Sequence, residues 1–171
     1  MGLYVNISDF QGQDKVAKDK FTKTDLDLYI DQYEVYWLQQ LLGAELYEEF
    51  AVDFAITGVM PTAPKFQEIW FPFAKDNNCV VVESKGIKKM LTLLINFEYI
   101  RDSKVKNNIG GVNKNLQANS EEAEFHETNI YTNYNEAINT YCSIQWLICE
   151  NPNNYDWTKE NMQPKRLNAW I

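Results

Sequence analysis

The search for chemistry starts with a single histidine. His126 sits among Glu122, Glu124 and Glu127, a setting in which imidazole could act as a base or bind a metal. A zinc site needs several ligands at short spacing, usually with paired cysteines or a second histidine. Neither accompanies His126. A carboxylate-bridged metal bundle needs repeated Glu-x-x-His pairs, which are also absent. The three cysteines, Cys79, Cys142 and Cys149, have no CxxC spacing. Cys142 and Cys149 are seven residues apart on a predicted helix, about 10 Å along its axis, too far for a disulfide; all three read as reduced thiols. Gly110-Gly111 lies in no phosphate-binding GxxxxGK[ST] or GxGxxG pattern, and no GxSxG nucleophile elbow occurs. The residues therefore predict a protein that is not an enzyme and needs no cofactor or metal. Binding other proteins is the remaining class.

Composition agrees. Ten Tyr, nine Phe and five Trp in 171 residues supply large rings that fill a core or cover a partner. The net charge of −8 speaks against a surface that holds nucleic acid through phosphate contacts. The charge is uneven. Residues 1–60 carry 4 basic and 11 acidic groups, 61–119 carry 9 and 5, and 120–171 carry 3 and 8, for net charges of −7, +4 and −5. An acidic–basic–acidic chain is complementary to copies of itself. No secretory leader, myristoylation pattern or membrane span is predicted.

The apolar spacing sets out the elements that must position any binding surface. The predicted fold is mainly α: a bundle of about four long helices with a long inter-helix loop, an extended C-terminal arm and a small β element. Leu26, Tyr29, Ile30, Tyr33, Trp37, Leu38 and Leu41 recur at steps of three and four after a Thr24 cap, predicting a helix over 24–42. Gly43 makes a corner. Leu46, Tyr47, Phe50 and Phe54 mark a second helix over 44–57. Phe66, Ile69, Trp70 and Phe73 suggest a short helix between prolines. Asp76-Asn77-Asn78 reads as a turn and residues 79–83 as a strand, with residues 3–7 as its possible partner. A third long helix, 86–103, is the most apolar and should lie centrally. Residues 103–119 show no helical stripe and read as a long loop, either functional or a disordered tether. A capping box at Asn119 opens the fourth long helix, 119–151, which ends before Pro152. The domain division expected is a helical domain over 1–152 and an arm over 153–171.

Three blocks carry a family resemblance: Asp27–Phe50, with the corner Leu41-Leu42-Gly43-Ala44-Glu45-Leu46-Tyr47-Glu48-Glu49-Phe50 as its most specific part; Lys85–Asp102; and Gly110–Asn115 with the acidic helix start after it. Together they resemble head–tail connector (adaptor, ring or neck) proteins of tailed bacteriophages, of the crAss-like type that infects Bacteroides-like hosts. The resemblance covers about two-thirds of the chain and includes no catalytic motif. It implies a structural virion protein, made in the host cytoplasm and located in the neck. Copies would form a ring, commonly a dodecamer, between the portal protein and the tail or further neck proteins, extending the DNA channel. The acidic balance would let DNA slide through without sequence-specific binding. The resemblance places subunit and portal contacts in the loop and the arm, at Lys104, Lys106, Val112, Lys114, Leu116, Trp157, Lys165, Arg166 and Trp170. These segments lack a buried stripe, so they are expected to order when a partner covers them. The other reading is a non-catalytic regulator or inhibitor that docks through an aromatic surface.

Overall fold

The structure is a computed structural model that describes residues 2–10, 20–77, 80–103, 105–108, 111–114 and 124–155. The side chains of 20–23, 103, 105–108, 111–114 and 124–130 lie outside that description. The fold is mainly helical with two small hairpins, and the order of elements is α1 (Lys20–Leu42), α2 (Ala44–Ala55), α3 (Pro64–Trp70), β1 (Phe73–Asn77), β2 (Val80–Ser84), α4 (Ile87–Ser103), β3 (Val105–Asn108), β4 (Gly111–Lys114), α5 (Glu124–Glu150) and α6 (Pro152–Tyr155).

The helices follow the apolar periodicity. α1 starts four residues before Thr24, because Lys20, Phe21, Thr22 and Lys23 include no helix breaker. At the corner, Gly43 has φ 76°, a conformation that costs other residues a steric penalty. Its N–H donates to the Gln39 carbonyl at 2.9 Å, so α1 closes and α2 departs without a connecting loop. α2 buries Leu46, Phe50 and Phe54. α3 has proline at its first position, where the missing N–H is no loss.

α4 is the centre of the core. Met90 through Glu98 are buried without interruption, so the helix is covered on every side, and it packs on α1, α3 and α5. α5 contributes Ala137, Ile138, Tyr141, Ile144, Leu147 and Ile148. The Tyr141 hydroxyl donates to the Gln40 carbonyl at 2.6 Å, which ties α5 to the end of α1.

Three expectations are corrected. The strand over 79–83 does not pair with residues 3–7. Its partner is the adjacent β1, antiparallel, with Phe73 opposite Ser84 and Asn77 opposite Val80; a hairpin between neighbours closes a far shorter loop. Leu3, Tyr4 and Val5 instead lie on α1, and Ile7–Asp9 form a 3-10 turn. Phe73 belongs to β1, not to the proline-bounded helix. Residues 103–119 are not without regular structure: β3 and β4 form a second antiparallel hairpin, with Val105 opposite Lys114. Residues 119–123, with the expected capping box, lie outside the described residues.

Candidate protein-binding surfaces

Glu34 shows how the molecule handles a buried charge. It is 2% exposed on the inner face of α1. Its carboxylate accepts the backbone N–H groups of Leu3, Tyr4 and Val5 at 2.6, 3.0 and 3.3 Å. The clasp leaves no room beside Gly2, where a Cβ would lie 2.3 Å from Ile30 Cγ2 and 2.8 Å from Glu34 Oε2. Tyr4, held in this way, stacks edge-on to Phe54 at 4.8 Å between ring centres. Glu34 is thus spent on structure, as a pin for the N-terminal segment.

A second polar cluster joins α1 to the end of α4. The Tyr29 hydroxyl donates to Asp102 Oδ2 at 3.2 Å. Burial and then the Asp102 charge push its hydroxyl up to about 12. The Glu98 carboxylate is 2.5 Å from Arg101 Nη2, though without an aligned hydrogen bond on Oε2. Burial raises the Glu98 carboxyl above its ordinary value despite this pairing. The cluster braces the helix end from which β3 departs.

No group of three or more His, Cys, Asp or Glu could hold a metal ion among the described residues. Cys142 is exposed and Cys149 half-buried, and neither forms a disulfide. Burial raises the Cys149 thiol, which makes it less reactive. No described helix is long and apolar enough to cross a membrane.

Two described surfaces expose large apolar residues. The first is the β1–β2 hairpin. Strand alternation puts Ala74, Asp76, Val81 and Glu83 on one face, and all four are exposed. Val80 and Val81 are 64% and 54% exposed, and Phe71, just before the hairpin, 48%. β2 leans on the body of the protein, against α5, and β1 touches it through Phe73, packed on the core, and Lys75, paired with Glu68 of α3 at 2.9 Å. The second is a shallow groove between α2 and α3. Val52 and Ile56, one turn apart, are 72% and 70% exposed, and Ala63 and Phe66 complete its apolar lining. Glu45, Glu48, Glu49 and Asp53 make it acidic. Lys65 pairs with Glu49 at 2.5 Å. Asp53 accepts the N–H groups of Thr62 and Ala63 at 2.7 and 3.0 Å. Partial burial would raise its carboxyl, but these bonds and the Thr62 hydroxyl hold it below the ordinary range.

The expected interface residues divide as follows. Lys106 lies in β3 opposite Asn113, and Val112 and Lys114 lie in β4 opposite Asn107 and Val105, so one hairpin brings three of them together. Lys104, Leu116, Trp157, Lys165, Arg166 and Trp170 lie outside the described residues. The C-terminal boundary shifts at one position: Tyr155 is 2% exposed and its hydroxyl donates to the Lys65 carbonyl at 2.8 Å, so it belongs to the core and not to an arm. The groove and the β1–β2 hairpin were not anticipated. The groove did have a signal, since Val52 and Ile56 form a second apolar i, i+4 pair on the side of α2 away from Phe50 and Phe54. Compared with known proteins, the chain matches no family model, no curated protein and no solved structure.

Proposed function

We propose that the chain is a structural virion protein that forms a ring in the neck of a tailed bacteriophage, between portal and tail, and extends the DNA channel. The observation that supports this most is the β1–β2 hairpin. A two-stranded hairpin is marginal in water without further packing, and this one leaves Val80 and Val81 uncovered with Phe71 beside them. A neighbouring copy would supply the missing cover. The β3–β4 hairpin, with Lys106 and Lys114, is the basic element that would meet the acidic parts of a neighbour, in keeping with the charge alternation along the chain.

Native mass spectrometry with electron microscopy of the purified protein tests the reading. A closed ring of many copies, and cross-links to a portal protein in particles, are expected. A monomer at all concentrations that also fails to cross-link to portal would overturn it. The second reading, a regulator or inhibitor that docks through aromatic residues, draws on the exposure of Tyr36, Phe71 and Tyr131 at 48%, 48% and 43%. A stable complex of one copy with one non-structural protein would favour it.

A further inference from the structure

We propose that the acidic groove between α2 and α3 is the seat of the chain's own C-terminal segment, residues 156–171, which replaces the expectation that this arm is covered only by a partner. The groove has room for a cover: Val52 and Ile56 are more than two-thirds exposed and lie beside four carboxylates, of which Glu49 is paired with Lys65 and Asp53 is held by Thr62 and Ala63. Val59 and Met60, 72% and 41% exposed, extend the apolar surface beyond the end of α2. Single exposed aliphatic residues are ordinary, whereas a contiguous patch marks a contact.

The position where the described chain ends selects the occupant. Tyr155 is held against α3 by its hydrogen bond to the Lys65 carbonyl. Lys65 itself reaches Glu49 on the groove wall, and the next residue, Phe66, lines the groove. The segment after Tyr155 therefore starts within one tyrosine side chain's length of α3, whose Phe66 lines the groove. Sixteen residues follow, which span up to about 50 Å when extended. α2, with 12 residues, is about 18 Å long. Reach is ample, and a tether this short gives an effective concentration on the order of millimolar.

The chemistry of the segment matches. After Glu160 it has no further acidic side chain, and Lys165 and Arg166 stand together. Leu167, Trp170 and Ile171 follow. Two cations beside three large apolar residues complement carboxylates around Val52 and Ile56. Arg166 is suited to a forked contact with a carboxylate, and Trp170 would bury a large area at low entropic cost. Segment 104–114 is also basic, but it has no aromatic residue and leaves from the far end of α4, beside Tyr29 and Asp102 instead of α3.

Thiol footprinting of the full chain tests this, with Cys142, which is exposed, as internal reference. In a Val52→Cys variant at a dilution where the chain is monomeric, the introduced thiol should react at least about tenfold more slowly than Cys142, as a tethered cover requires. Ile56→Cys gives the same reading if Val52→Cys disturbs the groove. Adding Lys165→Glu, Arg166→Glu and Trp170→Ser should bring the introduced thiol to the rate of Cys142, with helicity unchanged. Equal rates with the natural segment would overturn the proposal. So would protection that survives the triple change, which would mean another occupant. Protection that develops only as concentration rises would assign the groove to a second copy and overturn it too. The experiment is done on the monomer, so its outcome is independent of whether the chain forms a ring.

Discussion

α4 and α2 are both amphipathic by spacing, yet they serve opposite ends. α4 is buried on all sides from Met90 to Glu98. α2 buries only Leu46, Phe50 and Phe54 and leaves Val52 and Ile56 to solvent. Apolar residues on α4 are there to fold the chain, whereas Val52 on α2 and Ile56 just past its end contribute little to the core. The difference comes from position: α4 has helices around it, whereas α2 is at the rim with α3 on one side. An exposed aliphatic residue on a rim helix is a surface available for recognition.

The largest expected effect is at the centre. Leu94→Asp, at a residue 0% exposed, should leave the chain unfolded, because a buried unpaired charge costs more than the few kcal/mol by which domains are stable. Loss of the helical circular dichroism signal checks it; a folded variant would mean α4 is not central.

Glu34→Ala comes next. Three N–H groups would lose their acceptor. With about 1–3 kcal/mol for each buried group left unsatisfied, and partial rescue by water, a loss of about 3 kcal/mol is expected in urea unfolding. A loss below about 1 kcal/mol would show that the N-terminal segment adds little to the core. Tyr155→Phe should cost about 1 kcal/mol, the usual value of one hydrogen bond, and would separate the core role of Tyr155 from that of the segment beyond it.

Glu98→Gln sharpens the picture of α4 through pH. The folded carboxyl is raised, by burial first. Well below the ordinary glutamate value of about 4.3, both folded and unfolded chains hold the proton and nothing is lost. As pH rises through that value the unfolded chain ionises first, so stability falls until the folded carboxyl ionises as well. Glu98→Gln should abolish this part of the fall, and so be relatively more stable near neutrality than near pH 4. Unfolding midpoints at the two pH values check the sign. The smallest effect should be Ile56→Asp, just past the end of α2, measured in the chain that carries Lys165→Glu, Arg166→Glu and Trp170→Ser so that the groove is uncovered: within about 0.5 kcal/mol, as at other exposed sites. A large loss there would erase the contrast between the two helices.

How far the surfaces were legible differs by element. The helices could be read because steps of three and four put Ile30, Trp37 and Leu41, or Ile138, Tyr141 and Ile148, on one face whatever the rest of the chain does. The Gly43 corner was legible because a left-handed residue is nearly a local property. The β1–β2 pairing was not, since alternating residues state that a strand exists but not which edge it meets. Three-dimensional proximity was needed to join Glu34 to residues 3–5, about thirty positions away, and to bring Tyr155 to Lys65, 90 positions away.

By itself the sequence determined the helical class, the corner and the central place of α4, because periodicity, glycine conformation and residue type act locally. Only the tertiary structure decided which apolar residues stay outside. Val52 and Phe50 are two positions apart on one helix; spacing marked the side of Leu46, Phe50 and Phe54, but it did not say that the opposite side would be left without a neighbouring helix. That choice depends on how much area each neighbour buries, and it leaves Phe50 at 0% exposure and Val52 at 72%.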